Sequence, residues 1–369
     1  HRVDRRQRQM CIRDSLYIKY ENNKKIYKKK ISAQVLFGKL LQERAETGRI
    51  YLMNIDHANT HSSFQDKVSM SNLCQEITLP TVPLQHIDGD GEIALCILSA
   101  INVGTLKDLD ELEDLCEVAV RALDEIIDYQ NYPVTAAEIS TKARRSLGIG
   151  YIGLAHYLAK NQVKYGDKGA LKVVHELTES FQYYLIKASV ELAKEKGKCE
   201  YFDRTKYAQG ELPIDHYKKD LDEVCSVKMK KNWDKLRKEI AEFGMRNSTL
   251  SAQMPSESSS VVSNATNGIE PPRGFLSVKK SKKGPLKQIV PDYSRLKNFY
   301  TLLWDMPNND GYINVVAVMQ KFFDQAISGN WSYNPTHYEN NEVPMSVMFK
   351  DLLNTYCLLY TSPSPRDRG

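Results

Sequence analysis

Short runs of β-forming residues alternate along this chain with long amphipathic helical patterns, and the alternation predicts an α/β fold. The helical signal is the stronger of the two. From Leu109 the apolar positions Leu112, Leu115, Cys116, Ala119, Leu123, Ile126 and Ile127 recur at three- and four-residue spacing, one face of a helix, so Cys116 reads as core. A second helix is predicted over 170–196, with Leu171, Val174, Phe181, Leu185, Ala188 and Leu192 on its stripe and Gly197 as its stop. Strand-like runs lie at 49–55 (RIYLMNI), 76–79, 92–98 (EIALCIL) and 276–278. No internal repeat or low-complexity linker interrupts residues 16–356, which read as one domain or part of one.

The two ends read differently. Back-translating 10–15 (MCIRDS) as ATG TGT ATA AGA GAC AG and taking the reverse complement gives a string that reads in another frame as CLLYT, residues 357–361. Two peptides encoded by opposite strands of one DNA point to library adaptor, so 1–15 and 357–369 are expected to be adaptor-derived and 16–356 to be the folded part. The first end carries five Arg and two Asp, the last two Arg and one Asp, so the formal +5 falls to +1 over 16–356. That balance argues against nucleic acid as a partner. The lysine clusters at 22–30 (NNKKIYKKK) and 279–287 (KKSKKGPLK) read as solvated faces.

Five of the seven cysteines remain: Cys74, Cys96, Cys116, Cys199 and Cys225. Their spacing fits neither a zinc ribbon nor a secreted disulfide framework, so no metal site is expected. No apolar run approaches the roughly 20 residues of a membrane span, and no secretory segment opens the chain. The expectation is a cytoplasmic protein without a membrane partner. Cys199 reads as a loop residue just past the second helix, and Cys225 has no evident role.

Four stretches could carry chemistry. LGIGYIG (147–153) contains G-x-G-x-x-G, but helix-like TAAEISTKARRS precedes it where a dinucleotide fingerprint needs a strand, so a glycine-rich turn at a close helix contact is expected. DHANTH (56–61) spaces two histidines four apart, yet Asn and Thr between them read as polar loop. In 247–274, Pro255, Ser256, Glu257, Ser258 and Ser259 suit a helix N-terminus, whose unpaired N–H groups and neighbouring hydroxyls could hold a phosphate. Ordinary capping before a serine-rich turn is the plainer reading of the same residues.

SNLCQEITLP (71–80) is the fourth. In an extended strand Asn72, Cys74 and Glu76 would share one face. A carboxylate beside a thiol raises its pKa, which disfavours thiolate catalysis. A thiol that gives and takes a hydrogen atom needs no thiolate; it needs a neutral S–H, a base and a hydrogen-bonding amide.

SNLCQEITLPT, GEIALCILSAINVG, ARRSLGIGYIGLAHYLA, GMRNSTLSAQMPSES, SNATNGIEPPRG, LLWDMPNNDGYI and VPMSVMFKDLLNTY together resemble the large (alpha) subunit of aerobic class I ribonucleoside-diphosphate reductase, of the enteric bacterial and large-phage type. The resemblance runs through residues 16–356. It implies a ten-stranded α/β barrel with a cysteine-bearing finger loop at its centre. Cys74 matches the cysteine that becomes a thiyl radical and takes the ribose 3′ hydrogen. Glu76 matches the base for the 3′ hydroxyl, and Asn72 the residue that hydrogen-bonds the ribose. Cys96 matches one half of the redox pair that reduces the radical intermediate. The segment of Pro255, Ser256, Glu257, Ser258 and Ser259 matches the cradle of the substrate diphosphate.

The same resemblance implies a metal-containing small (beta) subunit that supplies the radical, an alpha homodimer, thioredoxin or glutaredoxin as reductant, and a nucleoside diphosphate substrate. No cofactor is expected on this chain itself, and the ATP and dNTP effector sites are expected in parts of the parent missing or incomplete here. The partner of Cys96, the radical-transfer tyrosine pair and the C-terminal cysteine pair have no counterpart in the chain. The polypeptide as given is therefore expected not to complete turnover, and to aggregate if 16–356 is expressed alone with unpaired strand edges. Other readings are a cobalamin- or glycyl-radical reductase and a non-catalytic nucleotide-binding protein.

Overall fold

The computed structural model describes residues 16–48, 50–86, 89, 91–95, 97–281, 284–359 and 361–362. The expectations for Cys96 and for residues 1–15 lie outside the described residues. The strands are β1 (Leu52–Met53), β2 (Ile97–Asn102), β3 (Leu147–Ile152), β4 (Leu276–Ser281), β5 (Gly284–Ile289) and β6 (Thr361–Ser362). The principal helices are α1 (Ala33–Thr47), α2 (Ile55–His61), α3 (Glu111–Tyr129), α4 (Thr135–Arg144), α5 (Leu154–Lys160), α6 (Lys168–Lys196), α7 (Trp233–Phe243), α8 (Glu257–Val262), α9 (Asp310–Gln320) and α10 (Met345–Leu358). The α/β class is as expected.

β2 and β3 pair in parallel, Ile97 opposite Leu147 through Asn102 opposite Ile152. Every residue of β3 is buried, as a strand covered on both faces must be. The parallel array continues through extended segments that are too irregular to count as strands. Ile149 N donates to Leu250 O (2.8 Å) and Ala252 N to Ile149 O (3.1 Å), which sets 249–253 beside β3. Gln253 N donates to Ala326 O (3.2 Å) and Ser328 N to Gln253 O (2.9 Å), which adds 325–328, again parallel. Ala326 N then donates to Glu76 O (3.1 Å), joining the Cys74 segment to the same array.

Parallel neighbours need long crossovers, and each connection here contains helix: α3 and α4 between β2 and β3, α5 to α7 before 249–253, α8 and α9 before 325–328. The six strands pair as three two-stranded sheets, and the described residues form no closed barrel. β4 and β5 make an antiparallel hairpin, and β1 pairs antiparallel with β6.

The core lies between the array and its helices. α3 opens with Glu111, Glu113 and Asp114, favourable charges at the positive end of the helix dipole. It buries Leu112, Cys116, Val120, Leu123 and Ile127 and packs on α6. Leu115 and Ile126, expected on that stripe, are exposed, because the seam against α6 is narrower than the full apolar pattern. α6 ends at Gly197 as expected, with φ 84° and its N–H on Ala193 O. Behind α6, Phe181 meets Tyr151 edge-on at 5.3 Å and stacks with Phe323 at 5.7 Å.

Three local readings are corrected. LGIGYIG is a buried strand, not a turn: Gly148 and Gly150 lie inside β3, and only Gly153 (φ 81°) turns the chain into α5. Two of its three glycines are therefore in the wrong place for a dinucleotide fingerprint. A Cβ on Gly150 would sit 2.7 Å from Ala252 O, so close strand approach explains the glycine. Gly150→Ala is expected to destabilise by about 1–3 kcal/mol, the cost of overpacking, read as a lower denaturant midpoint at unchanged slope. The second correction is DHANTH, which is helical, within α2. The third is 49–55, where strand is confined to Leu52–Met53 before α2 begins; Arg49 lies outside the described residues.

Candidate active site

Residues 71–80 do not form a strand. Gln75 N donates to Asn72 O (3.2 Å) and Gln75 takes φ 63°, so 72–75 is a tight turn with Cys74 in it. The same-face argument for Asn72, Cys74 and Glu76 is thereby corrected, since alternation holds only along extended backbone. The turn brings two of the three together by another route. Asn72 Nδ2 donates to Glu76 Oε1 at 2.8 Å, while Asn72 Oδ1 accepts from Ile77 N at 3.2 Å. Ser71 Oγ closes the loop on Ile77 O at 2.8 Å.

Burial divides these residues by task. Glu76 is 2% exposed, Cys74 is half-exposed, and Leu73 stands at the tip of the turn, 80% exposed. One carboxylate oxygen of Glu76 is held by Asn72; the other, Oε2, is buried with no hydrogen-bond partner. Burial pushes the Glu76 carboxyl above its usual range, against the opposing pull of its backbone and Asn72 hydrogen bonds. A carboxylate in that state is a better base than an exposed one, with a lone pair available for an incoming proton.

Downstream, Thr78 N donates to Gln325 Oε1 (3.3 Å), and Gln325 Nε2 donates to Leu147 O (2.8 Å). The segment after the thiol-bearing turn is thus tied by the Gln325 side chain to β3. The array then leads to the second candidate stretch. Residues 249–253 run out through Met254 into α8, with Ser256 as N-cap, as expected for a helix start there. Ser256 Oγ donates to Met254 O (3.1 Å) and does not cap the helix. The first-turn N–H groups of Glu257, Ser258 and Ser259 therefore lack intrahelical acceptors, and these residues, like Pro255, are exposed. A cleft of about 360 Å³ opens beside α8, lined among others by Glu257, Asn267, Glu270, Arg273 and Gln288.

Sequence reasoning missed the group that holds these segments together. Asp324 is fully buried and accepts from Leu250 N (2.9 Å), Ser251 N (2.8 Å), Ser251 Oγ (3.1 Å) and Tyr207 OH (2.8 Å). Its only sequence signal is an acid inside the apolar run around FFDQAI. Cys116, Cys199 and Cys225 are buried, and burial pushes each thiol up, whereas Cys357 near the end of α10 is exposed. His61 is buried with Nε2 on Phe323 O, and among the described residues no cluster could hold a metal ion. Among them, too, no helix is long and apolar enough to cross a membrane.

The chain thus carries a thiol on a tight turn, a buried carboxylate two residues on, and a helix N-terminus that follows 249–253, on an α/β framework of the kind that places its chemistry at the carboxyl ends of parallel strands. The family model of the ribonucleotide reductase barrel domain matches residues 7–360, and the chain belongs to the ribonucleotide reductase family. It is 58% identical over 347 residues to the ribonucleoside-diphosphate reductase subunit alpha of Haemophilus influenzae, covering 93% of this chain and 46% of that protein. Against the ribonucleoside-diphosphate reductase 1 subunit alpha of Escherichia coli K12 the identity is 54% over 347 residues, with the same coverage. Against the subunit alpha of Enterobacteria phage T4 it is 45% over 345 residues, 92% of this chain and 45% of that protein. The chain spans about half the length of the curated relatives it matches.

Proposed function

We propose that this chain is the catalytic portion of a ribonucleoside-diphosphate reductase alpha subunit, which converts ribonucleoside diphosphates to 2′-deoxyribonucleoside diphosphates and so supplies DNA precursors. The observation that carries the reading is Glu76, a buried carboxylate with one oxygen held by Asn72 and the other unpartnered, two residues from a half-exposed thiol. Cys74, as a thiyl radical, takes the 3′ hydrogen atom and becomes S–H. Glu76 takes the proton of the 3′ hydroxyl while Asn72 holds the ribose. The 2′ hydroxyl then leaves as water, and Cys96 with a second cysteine of the parent supplies two electrons and two protons as their disulfide forms. Glu76 returns its proton to the 3′ oxygen, and Cys74 finally returns its hydrogen atom to the 3′ carbon.

Glu257, Ser258 and Ser259, with Pro255 and Ser256 fixing the helix start, cradle the diphosphate through backbone N–H groups and hydroxyls. Their exposure at the carboxyl edge of the array supports this role. In the complete subunit the array closes into the ten-stranded barrel, a metal-containing beta subunit supplies the radical, alpha pairs with alpha, and thioredoxin or glutaredoxin returns the electrons. ATP and deoxynucleotide effectors act on parts of the parent missing or incomplete here, in the cytoplasm.

The test is turnover by the complete subunit with its radical-generating partner, a dithiol and a nucleoside diphosphate. Deoxynucleotide formation is expected. Formation that depends on adenosylcobalamin instead would move the chain to the other thiyl-radical reductases, and binding without reduction would make it a nucleotide-binding protein. For the cradle, Ser258→Ala with Ser259→Ala is expected to raise KM for the diphosphate about tenfold with kcat little changed, the signature of lost ground-state binding. An unchanged KM removes these hydroxyls from the site.

A further inference from the structure

The segment that carries Cys74 is flanked by Asp66 before it and Glu92 after it, and both carboxylates end on one guanidinium. Arg144 Nε donates to Glu92 Oε2 at 2.6 Å, and Arg144 Nη2 to Glu92 Oε1 at 3.0 Å and to Asp66 Oδ2 at 2.9 Å. The Arg144 side chain is 2% exposed and that of Glu92 7%, so the pair works where water screens little. Arg204 completes a ring, 2.8 Å from Asp66 Oδ2 and 3.4 Å from Glu92 Oε1. Aromatic faces fix the orientation: the Arg144 guanidinium lies 5.6 Å from the Phe64 ring and 5.2 Å from Tyr201.

Backbone pairing fixes the chain on either side of this segment, in addition to the anchors at Glu76 and Thr78. Phe64 bridges Thr205, and Gln65 N donates to Arg204 O at 3.0 Å. Glu92 exchanges both hydrogen bonds with Val82, at 3.0 and 3.1 Å. Arg144 itself is anchored to the other half of the site. It is the last residue of α4, three residues before β3 is reached at Leu147, and its carbonyl accepts from Ser248 N (3.0 Å) at the entry of the segment that leads to α8. One residue therefore joins the thiol-bearing segment, through its side chain, to the framework that presents the helix N-terminus, through its backbone.

We infer that Arg144 is a positioning residue: by holding Glu92 and Asp66 together it sets where the Cys74 turn sits relative to the substrate. The inference rests on the catalytic reading of Cys74 above. Arg144 touches no substrate; it acts through the loop. Lysine cannot replace it, because one ammonium cannot grip Glu92 in bidentate fashion and also reach Asp66.

The experiment uses the complete alpha subunit with its radical-generating partner and compares wild type, Arg144→Lys and Glu92→Gln. For both variants kcat is expected to fall about 10- to 100-fold, the scale of a displacement near 1 Å at the reacting atom. KM for the diphosphate stays within about threefold, because the α8 site is untouched. The rate at which iodoacetamide alkylates Cys74, read by peptide mass, changes in parallel and needs no turnover.

Unchanged kcat and unchanged Cys74 alkylation in folded variants would overturn the clamp. So would kcat and KM lost together with a large fall in Tm, which would make Arg144 merely structural. Should Arg144→Lys fail to fold, Glu92→Gln carries the test, since it keeps the side-chain volume and removes only the charge. Cys74→Ser serves as the control on the catalytic reading: activity in that variant, or none in wild type, sinks that reading, and alkylation of Cys74 then still decides the clamp.

Discussion

Cys74→Ser in the complete subunit removes deoxynucleotide formation, a loss on the order of 10⁴-fold or more, as when a group that bonds to substrate is deleted. Diphosphate binding survives within about threefold, because the hydroxyl is close in volume to the thiol and the α8 groups are unchanged. The physical reason is the strength of the bond to hydrogen. An S–H bond is weak enough that thiyl and carbon radicals exchange a hydrogen atom nearly evenly, whereas an O–H bond is too strong for serine to be oxidised by the same partner. The turn should tolerate the change, since the hydrogen bonds of Ser71, Asn72 and Gln75 that shape it remain in place. Equilibrium binding and product formation measured on one preparation separate the cases. Turnover retained by the serine variant would end the radical assignment, and lost binding together with lost turnover would show only that the turn had collapsed.

What was legible in the sequence follows from the range of the forces involved. α3 and α6 were visible because a helix writes its buried face every three or four residues, and Gly197 marks a stop through its own backbone freedom. Cys74, Glu76 and Asn72 could be singled out because their chemistry is local to five residues. Their geometry could not be read, because the turn at 72–75 depends on Gln75 adopting φ 63° and on Ala326 and Gln325 reaching in from far along the chain. β3 was misread for a related reason. Its glycines signal turn locally, but here they admit the backbone of 249–253 and the side chain of Gln253. The partners of Asp324 and Arg144 could not be read locally, because what these residues join lies 52 to 117 residues away.

Glu76→Gln separates activity from stability, with opposite signs. As the base for the 3′ hydroxyl, Glu76 must be ionised, so its loss is expected to lower kcat/KM about 10²- to 10⁴-fold, the usual worth of a positioned base. In wild type the raised pKa brings the acid limb of the kcat/KM profile to a higher pH than an ordinary glutamate would give. The stability argument runs the other way. A carboxyl whose folded pKa lies above its unfolded value holds its proton longer in the native state. That contribution is fully present below the unfolded pKa and is lost as pH rises through the folded one. Above that window the native protein keeps a buried carboxylate with Oε2 unpartnered, a cost the neutral amide lessens. Across the window the stability of Glu76→Gln relative to wild type should therefore climb by up to about 1.4 kcal/mol per pH unit and then level off. Paired urea titrations from pH 4 to pH 8, within about 0.3 kcal/mol of each other at every pH, would show that burial does not tune this carboxyl. A variant both inactive and more stable at neutral pH is the mark of a group kept for its chemistry at the expense of the fold.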